Sequence, residues 1–137
     1  MRLPSALGSN ESLARCLYQR NHFKVETHSV LPKAFEPPSS NLRLSVFRIC
    51  GLHIRDVWTY LQTNAINKMP QPPTFYGIAD ITVSVVQATG LTVDPDDTPP
   101  RHASIVGWPE GDTNKSKRKL LSQELASKAK LVLRNRN

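Results

Sequence analysis

The sequence predicts an α+β fold, with a small, mostly antiparallel sheet of about four strands and two or three helices. Segments that alternate apolar and polar residues, as strands do, lie between segments whose apolar residues recur every three or four positions, as in helices. Their order lacks the regular strand–helix alternation of a doubly wound parallel sheet, and no internal repeat is visible. With 137 residues, a single domain spanning 1–137 is expected.

The first half of the chain contains three predicted elements. Apolar residues within 11–19 share one helical face behind Asn10, a favourable N-cap, and this predicts a short helix. Residues 1–9 precede it and are open to disorder, and the stretch that follows, up to residue 41, reads as irregular. Residues 42–50 alternate as a strand, and residues 53–66 carry apolar side chains at helical spacing.

The second half of the chain contains three predicted strands and one long helix. Residues 77–86 alternate apolar and polar side chains, as in a sheet with one solvated face. Short strands are predicted over 91–93 and 103–108, on either side of a proline-rich loop. The last element is an amphipathic helix over 115–134, which makes residues 113–137 a basic C-terminal helical segment.

The cysteines and the apolar segments predict a cytoplasmic protein. Cys16 and Cys50 could form one disulfide, but each falls on an apolar-periodic position, which favours buried thiols. The N-terminus lacks the continuous apolar region of a signal peptide, and no apolar stretch approaches the ~20 residues of a membrane span. We therefore expect a reducing compartment and no membrane partner.

Specific catalytic and metal-binding motifs are lacking. The chain has no glycine-rich phosphate loop, no nucleophile elbow and no zinc-ligand spacing. Asp94, Asp96 and Asp97 resemble half of a calcium loop, but the central glycine and the distant glutamate are missing. We expect no metal and no cofactor, and whether the protein is an enzyme stays open.

The net charge is confined to the C-terminal segment. Residues 1–112 carry ten basic and ten acidic residues, whereas residues 113–137 carry eight basic residues against Glu124 alone, which gives the +7 of the whole chain. Such asymmetry favours a polyanionic partner at one end of the molecule. A solvated face that keeps the protein soluble is the alternative explanation.

The predicted anion-binding residues all belong to this basic segment. They are Lys115, Lys117, Arg118, Lys119, Lys128, Lys130 and Arg134, and Arg136 lies just beyond them. Cations at a helix N-terminus oppose the helix macrodipole, so a partner is a reasonable cause for the first four. Nucleic acid and an acidic protein surface both fit. Membrane binding is disfavoured because the core needs the helix's apolar residues. The principal hypothesis is a non-catalytic binding or accessory module.

A small enzyme acting on a phosphate-bearing substrate, such as a nucleotide or NAD, is the alternative. Arg48 and Arg101 would hold the anion, with His28 or His102 as acid or base. Structural explanations are also open. Arg48, on the apolar face of its strand, would lie at an exposed strand end or, as we expect, pair with a carboxylate such as Asp80. Arg101 would pair with an aspartate of the preceding loop, His102 would cap that loop, and His28 would be solvated.

One short segment has a family resemblance. Residues 46–49, Val-Phe-Arg-Ile, resemble the first strand of small NAD-consuming toxin domains, which opens with an aromatic–Arg pair. The resemblance covers four residues, the acidic catalytic pattern of those domains is missing downstream, and no catalytic residue is carried over from it.

The tryptophans bear on a third hypothesis, a structural subunit of an oligomer or larger complex. Trp58 lies on the apolar face of the predicted helix over 53–66 and is expected in the core. Trp108, between Gly107 and Pro109, is expected to be more open and could form an interface together with the proline-rich loops.

Overall fold

Six strands form one antiparallel sheet in the computed structural model, which describes Leu3 and residues 6–134. The strands are β1 (Ser12–Leu17), β2 (Phe23–Lys24), β3 (Ser29–Val30), β4 (Leu44–Arg48), β5 (Gly77–Thr82), β6 (Thr92–Asp94), β7 (His102–Val106) and β8 (Lys130–Leu133). The helices are α1 (Ile54–Asn64), α2 (Val83–Ala88) and α3 (Lys115–Lys128). The large sheet has the order β6-β7-β4-β1-β5-β8, and β2 and β3 form a separate hairpin. The α+β class is confirmed, and the expectation of about four strands is only roughly right.

Helices cover both faces of the large sheet. One face packs against α2, α3 and a 3-10 turn at Pro32–Phe35, and the other packs against α1. The strand β1 lies between β4 and β5 and contributes to both cores, with Leu13 and Leu17 on one side and Ala14 and Cys16 on the other. Apolar burial on both faces, at about 25 cal/mol per Å², is the main stabilising contribution.

The predicted helix over 11–19 is wrong, because Ser12–Leu17 forms the strand β1. Its neighbours explain the error. A strand paired on both sides and covered on both faces needs no alternation of apolar and polar residues, and four of its six residues are buried. Of residues 1–9, Leu7 packs against the core and the Ser9 carbonyl accepts a hydrogen bond from Ser84. Met1, Arg2, Pro4 and Ser5 lie outside the described residues.

Two further elements differ from the sequence prediction. The strand predicted over 77–86 ends at Thr82, and the chain continues as α2, whose Val83 and Val86 are buried one helical turn apart. The helix predicted over 115–134 ends at Lys128 because Ala129 adopts an extended conformation. The remaining residues form β8, which pairs with β5. The basic segment is therefore a helix followed by a strand.

The other predicted elements are present with shifted ends. The strand of 42–50 is β4, the helix of 53–66 is α1, and the short strands after residue 90 are β6 and β7. The segment that read as irregular contains the β2–β3 hairpin.

Trp108 is not an open contact residue, contrary to the sequence-based expectation. It is 4% exposed within the larger core, and its indole Nε1 donates to the Ile105 carbonyl at 3.0 Å. Trp58 is half-buried and packs edge-on against Phe75, which agrees with its predicted core position. Burial of Trp108 removes the tryptophan from the oligomer hypothesis and leaves it with the proline-rich loops alone.

Cys16 and Cys50 are both free thiols, and Cys16 is buried as expected, whereas Cys50 is half-buried. Among the described residues, no helix has both the length and the apolar character required to cross a bilayer.

Candidate functional site

Three of the predicted anion-binding lysines stand at the start of α3. Lys115, Lys117 and Lys119 are exposed, and we call them the lysine cluster. Within Leu3 and residues 6–134, no ion pair joins any of them to a carboxylate. The first turn of α3 has no acidic residue, so the cluster presents its charge to solvent next to the positive end of the helix dipole.

The two predicted arginines of this segment are held by the protein itself. The Arg118 guanidinium donates to the carbonyls of Pro109 at 2.7 Å and Gly111 at 2.9 Å, which ties α3 to the loop before it. Arg134 donates to Gln62 Oε1 at 2.7 Å, and its guanidinium carbon lies 5.4 Å from the centre of the Phe75 ring. Both arginines therefore stabilise local structure. Arg136 lies outside the described residues.

The remaining predicted lysines differ in their surroundings. Lys128 is exposed at the last turn of α3, where a cation is favourable to the helix dipole. Lys130 is exposed on β8, directly opposite Asp80 of β5 in the strand register. The Asp80 carboxylate partly offsets the field of Lys130, so the uncompensated charge is concentrated in the lysine cluster.

A small cleft opens beside the lysine cluster. Its volume is about 190 Å³, and its lining includes Lys115, Lys119, Arg118, Ser39 and Glu36. Glu36 forms a salt bridge with Lys33 at 3.2 Å, which draws part of the Glu36 charge away from the cleft. The cleft thus offers hydroxyl and ammonium donors at the size of a single phosphate group.

The structure does not gather the four residues of the enzyme alternative into one pocket. Arg48 is 3% exposed and pairs with Glu11, not with Asp80. Arg101 donates from Nη1 to the carbonyls of Arg48 and Cys50, both at 3.0 Å.

The two histidines of that alternative lie in different settings. His28 is exposed in the β2–β3 hairpin. His102 is the one member of the set that lines a sizeable cavity beside the end of α1.

That cavity, which we call the α1 cavity, lies between the C-terminal end of α1 and strands β1, β4 and β7. Its volume is about 510 Å³. Phe47, Met69 and Pro99 give it apolar walls, and Lys68 and Arg15 are the cations in its lining. Both its size and its largely apolar character are typical of small-molecule sites.

His102 connects two residues that sequence reasoning did not assign to a site. Its Nδ1 lies 2.6 Å from Asp96 Oδ1, and its Nε2 lies 3.1 Å from Ser45 Oγ. Ser45 lines the α1 cavity together with His102. The sequence placed Ser45 on the same strand face as Phe47 but carried no signal that β4 would pair with β7.

Cys16 also reaches the α1 cavity but is poorly suited to nucleophilic chemistry. Burial raises the pKa of its thiol to about 12. Only the thiolate is a strong nucleophile, so Cys16 acts as an apolar wall at neutral pH.

The part of the chain described by the structure contains no group of three or more metal-ligating side chains. Comparison of the chain with known protein families, with curated proteins and with solved structures finds no match.

Proposed function

We propose that this protein is a cytoplasmic nucleic-acid-binding accessory module that contacts backbone phosphates through the lysine cluster, with Lys128 at the far end of the same helix. The observation that carries the proposal is the exposed positive charge at the start of α3. Next to the positive end of the helix dipole, this charge destabilises α3 by about a few tenths of a kcal/mol per lysine. No carboxylate of the described residues forms an ion pair with the cluster.

The residue type favours phosphate over an acidic protein surface. Lysine is depleted from the cores of protein–protein interfaces, whereas it is a main contributor to sequence-independent binding of phosphates. Leu120, which follows Lys119, is 64% exposed, and the exposed large apolar residues of the described chain include no aromatic one. Base stacking therefore has little support, and a duplex backbone is the favoured ligand.

Binding to a fluorescent duplex of about 20 base pairs at increasing salt tests the proposal. If about three phosphates are neutralised, the logarithm of the association constant falls with the logarithm of salt concentration with a slope near −3, which is a loss of about fiftyfold between roughly 50 and 200 mM. Replacing Lys115, Lys117 and Lys119 together by Gln should weaken binding at low salt and bring the slope near zero.

A matched control separates the cluster from net charge alone. Replacing Lys24, Arg55 and Lys68 by Gln removes the same charge from exposed positions elsewhere, and this variant should keep most of the affinity. Equal losses in the two triple variants would refute a localised site. Salt-sensitive binding of polyglutamate without binding of duplex would replace the proposal with an acidic protein partner.

A further inference from the structure

We infer that Ser45, His102 and Asp96 form an acyl-transfer site that cleaves small carboxylic esters, with the α1 cavity holding the acyl group. The inference rests on a hydrogen-bonded series, Ser45 Oγ to His102 Nε2 and His102 Nδ1 to Asp96 Oδ1, at the edge of a largely apolar cavity. It is independent of the lysine cluster, none of whose members lines this cavity.

The pairing of β4 with β7 positions the first two residues. Phe47 is opposite His102, and Ser45 is opposite Ser104, so Ser45 and His102 are diagonal neighbours on one face of the sheet. Diagonal neighbours in an antiparallel pair are within reach of long side chains. Asp96 comes from the loop after β6, the strand on the other side of β7.

The contacts determine which imidazole nitrogen carries the proton. An ionised carboxylate only accepts hydrogen bonds, so the nitrogen 2.6 Å from Asp96 must be the protonated one. In the neutral ring, Nε2 then accepts a hydrogen bond that the Ser45 hydroxyl donates. Nucleophile, general base and orienting carboxylate thus stand in the order that acyl-transfer enzymes require.

Both the His102 ring and the Asp96 carboxylate are held in place. The Phe47 ring packs edge-on against the imidazole with 5.2 Å between ring centres. Asp96 Oδ1 accepts from the Thr98 backbone N–H at 3.3 Å, and Asp96 Oδ2 accepts from Ser104 Oγ at 3.4 Å. The site is therefore preorganised, which lowers the reorganisation needed during reaction.

The nucleophile is accessible, and the cavity suits an acyl chain. Ser45 is exposed, and its hydroxyl lies beside walls formed by Phe47, Met69 and Pro99. A volume of about 510 Å³ accommodates an acyl group of several carbons together with a small alcohol. The chemistry points to uncharged or anionic esters because the cations of the lining are Arg15 and Lys68.

The reaction follows the usual two steps and balances. Ser45 Oγ attacks the carbonyl carbon while its proton passes to His102 Nε2, and the same proton then goes to the departing alcohol oxygen as its bond to carbon breaks. Water, deprotonated by His102, next attacks the acyl-Ser45 carbonyl. It releases the carboxylic acid and returns the proton to Ser45.

Positive charge for the tetrahedral intermediate is present in the cavity lining. Arg15 donates from Nη1 to the Ser45 carbonyl at 3.0 Å and from Nε to the Ala34 carbonyl at 2.8 Å. These bonds use two of the five N–H donors of a guanidinium and place the group beside the nucleophile's own backbone. Lys68 is the second cationic residue of the cavity lining.

Labelling of the folded full chain by a fluorophosphonate tests the site, with peptide mapping to locate the adduct. We expect a single adduct on Ser45 and turnover of p-nitrophenyl butyrate. Ser45→Ala should abolish both. His102→Gln should lower the labelling rate at least about a hundredfold, the minimum typical of a lost general base. Ser84→Ala, at an exposed serine of α2 outside the cavity lining, should match the wild type.

Asp96 is a positioning residue, so its test needs a spectroscopic readout. Asp96→Asn should slow labelling and remove the low-field NMR signal of the His102 Nδ1 proton while the melting temperature stays near that of the wild type. The inference is overturned if folded wild-type protein carries no adduct on Ser45. It is equally overturned if His102→Gln labels at the wild-type rate.

Discussion

Glu11 and Arg48 form a buried two-point ion pair next to the start of β1. Arg48 Nε lies 2.5 Å from Glu11 Oε2, and Arg48 Nη2 lies 2.9 Å from Glu11 Oε1, with side chains 4% and 7% exposed. The Arg48 guanidinium holds the pKa of Glu11 below its usual 4.5. Glu11 therefore neutralises the charge of Arg48 on the apolar face of β4, and a ligand is not needed to explain the burial of Arg48.

Removing one partner of this pair should destabilise the fold strongly. Glu11→Gln leaves a buried guanidinium without its carboxylate, and we expect a loss of about 3 to 5 kcal/mol in the free energy of unfolding by urea. The double variant Glu11→Leu with Arg48→Met should be more stable than Glu11→Gln, since no charge remains buried. Glu26→Gln, at an exposed carboxylate, serves as control. A change below about 0.5 kcal/mol in Glu11→Gln, the range of surface substitutions, would contradict the argument.

His22 should make the fold sensitive to mild acid. It is 3% exposed, and burial lowers its pKa from 6.5 to about 4. Below pH 6.5 the unfolded chain takes up a proton that the folded chain refuses, so stability decreases as pH falls towards 4. Between about pH 7 and pH 5 the loss should be about 2 kcal/mol in urea unfolding.

Substitution at His22 provides the check on this pH dependence. His22 Nδ1 accepts a hydrogen bond from the Tyr18 backbone N–H at 3.2 Å, and Asn can supply an equivalent acceptor. In His22→Asn the stability difference between the two pH values should largely disappear. The exposed His28→Asn variant should retain it. Unchanged pH dependence in His22→Asn would assign the effect to another group.

Gly77 should tolerate no side chain. A Cβ at this position would overlap the Val132 carbonyl oxygen and approach Leu133 Cα at 2.9 Å, and these are backbone atoms of β8 that cannot rotate away. We expect Gly77→Ala to cost about 1 to 3 kcal/mol in thermal or urea unfolding, as overpacked sites do. Gly8→Ala, where the nearest atom would be 3.9 Å away, should be nearly neutral. Equal stability of the two variants would show that β8 does not pack closely on β5.

The spacing of apolar residues along the sequence predicted elements that have a solvent-exposed side. The helix α1 shows apolar residues at helical spacing because its outer face is wet. In β4 the exposed Ser45 alternates with buried Leu44 and Val46, although Phe47 and Arg48 after them are also buried. Pattern failed at β1, where both faces are buried, and at α2, where Val83 and Val85 fit the alternation of a strand while Val83 and Val86 fit the spacing of a helix. Burial on both sides erases the periodicity on which such predictions depend.

Of the two candidate sites, the sequence indicated the position of one and gave no signal of the other. The position of the lysine cluster could be predicted because charged residues can be counted along the sequence. The hydrogen bonds that Arg118 and Arg134 donate within the fold could not be predicted in this way. The Ser45–His102–Asp96 series was beyond sequence reasoning. Ser45 and His102 are 57 positions apart, and only the pairing of β4 with β7 brings them into contact.

The strand β8 forms one edge of the sheet and pairs with β5, so β5 is not itself an edge strand. It covers one edge of β5, a six-residue strand of largely buried apolar residues, and only four residues form this cover. A chain shortened to end at Ala129 would present the unpaired amides and carbonyls of β5 as a template for a strand from a neighbouring copy. Loss of β8 would therefore turn β5 into an edge strand open to pairing with a second copy.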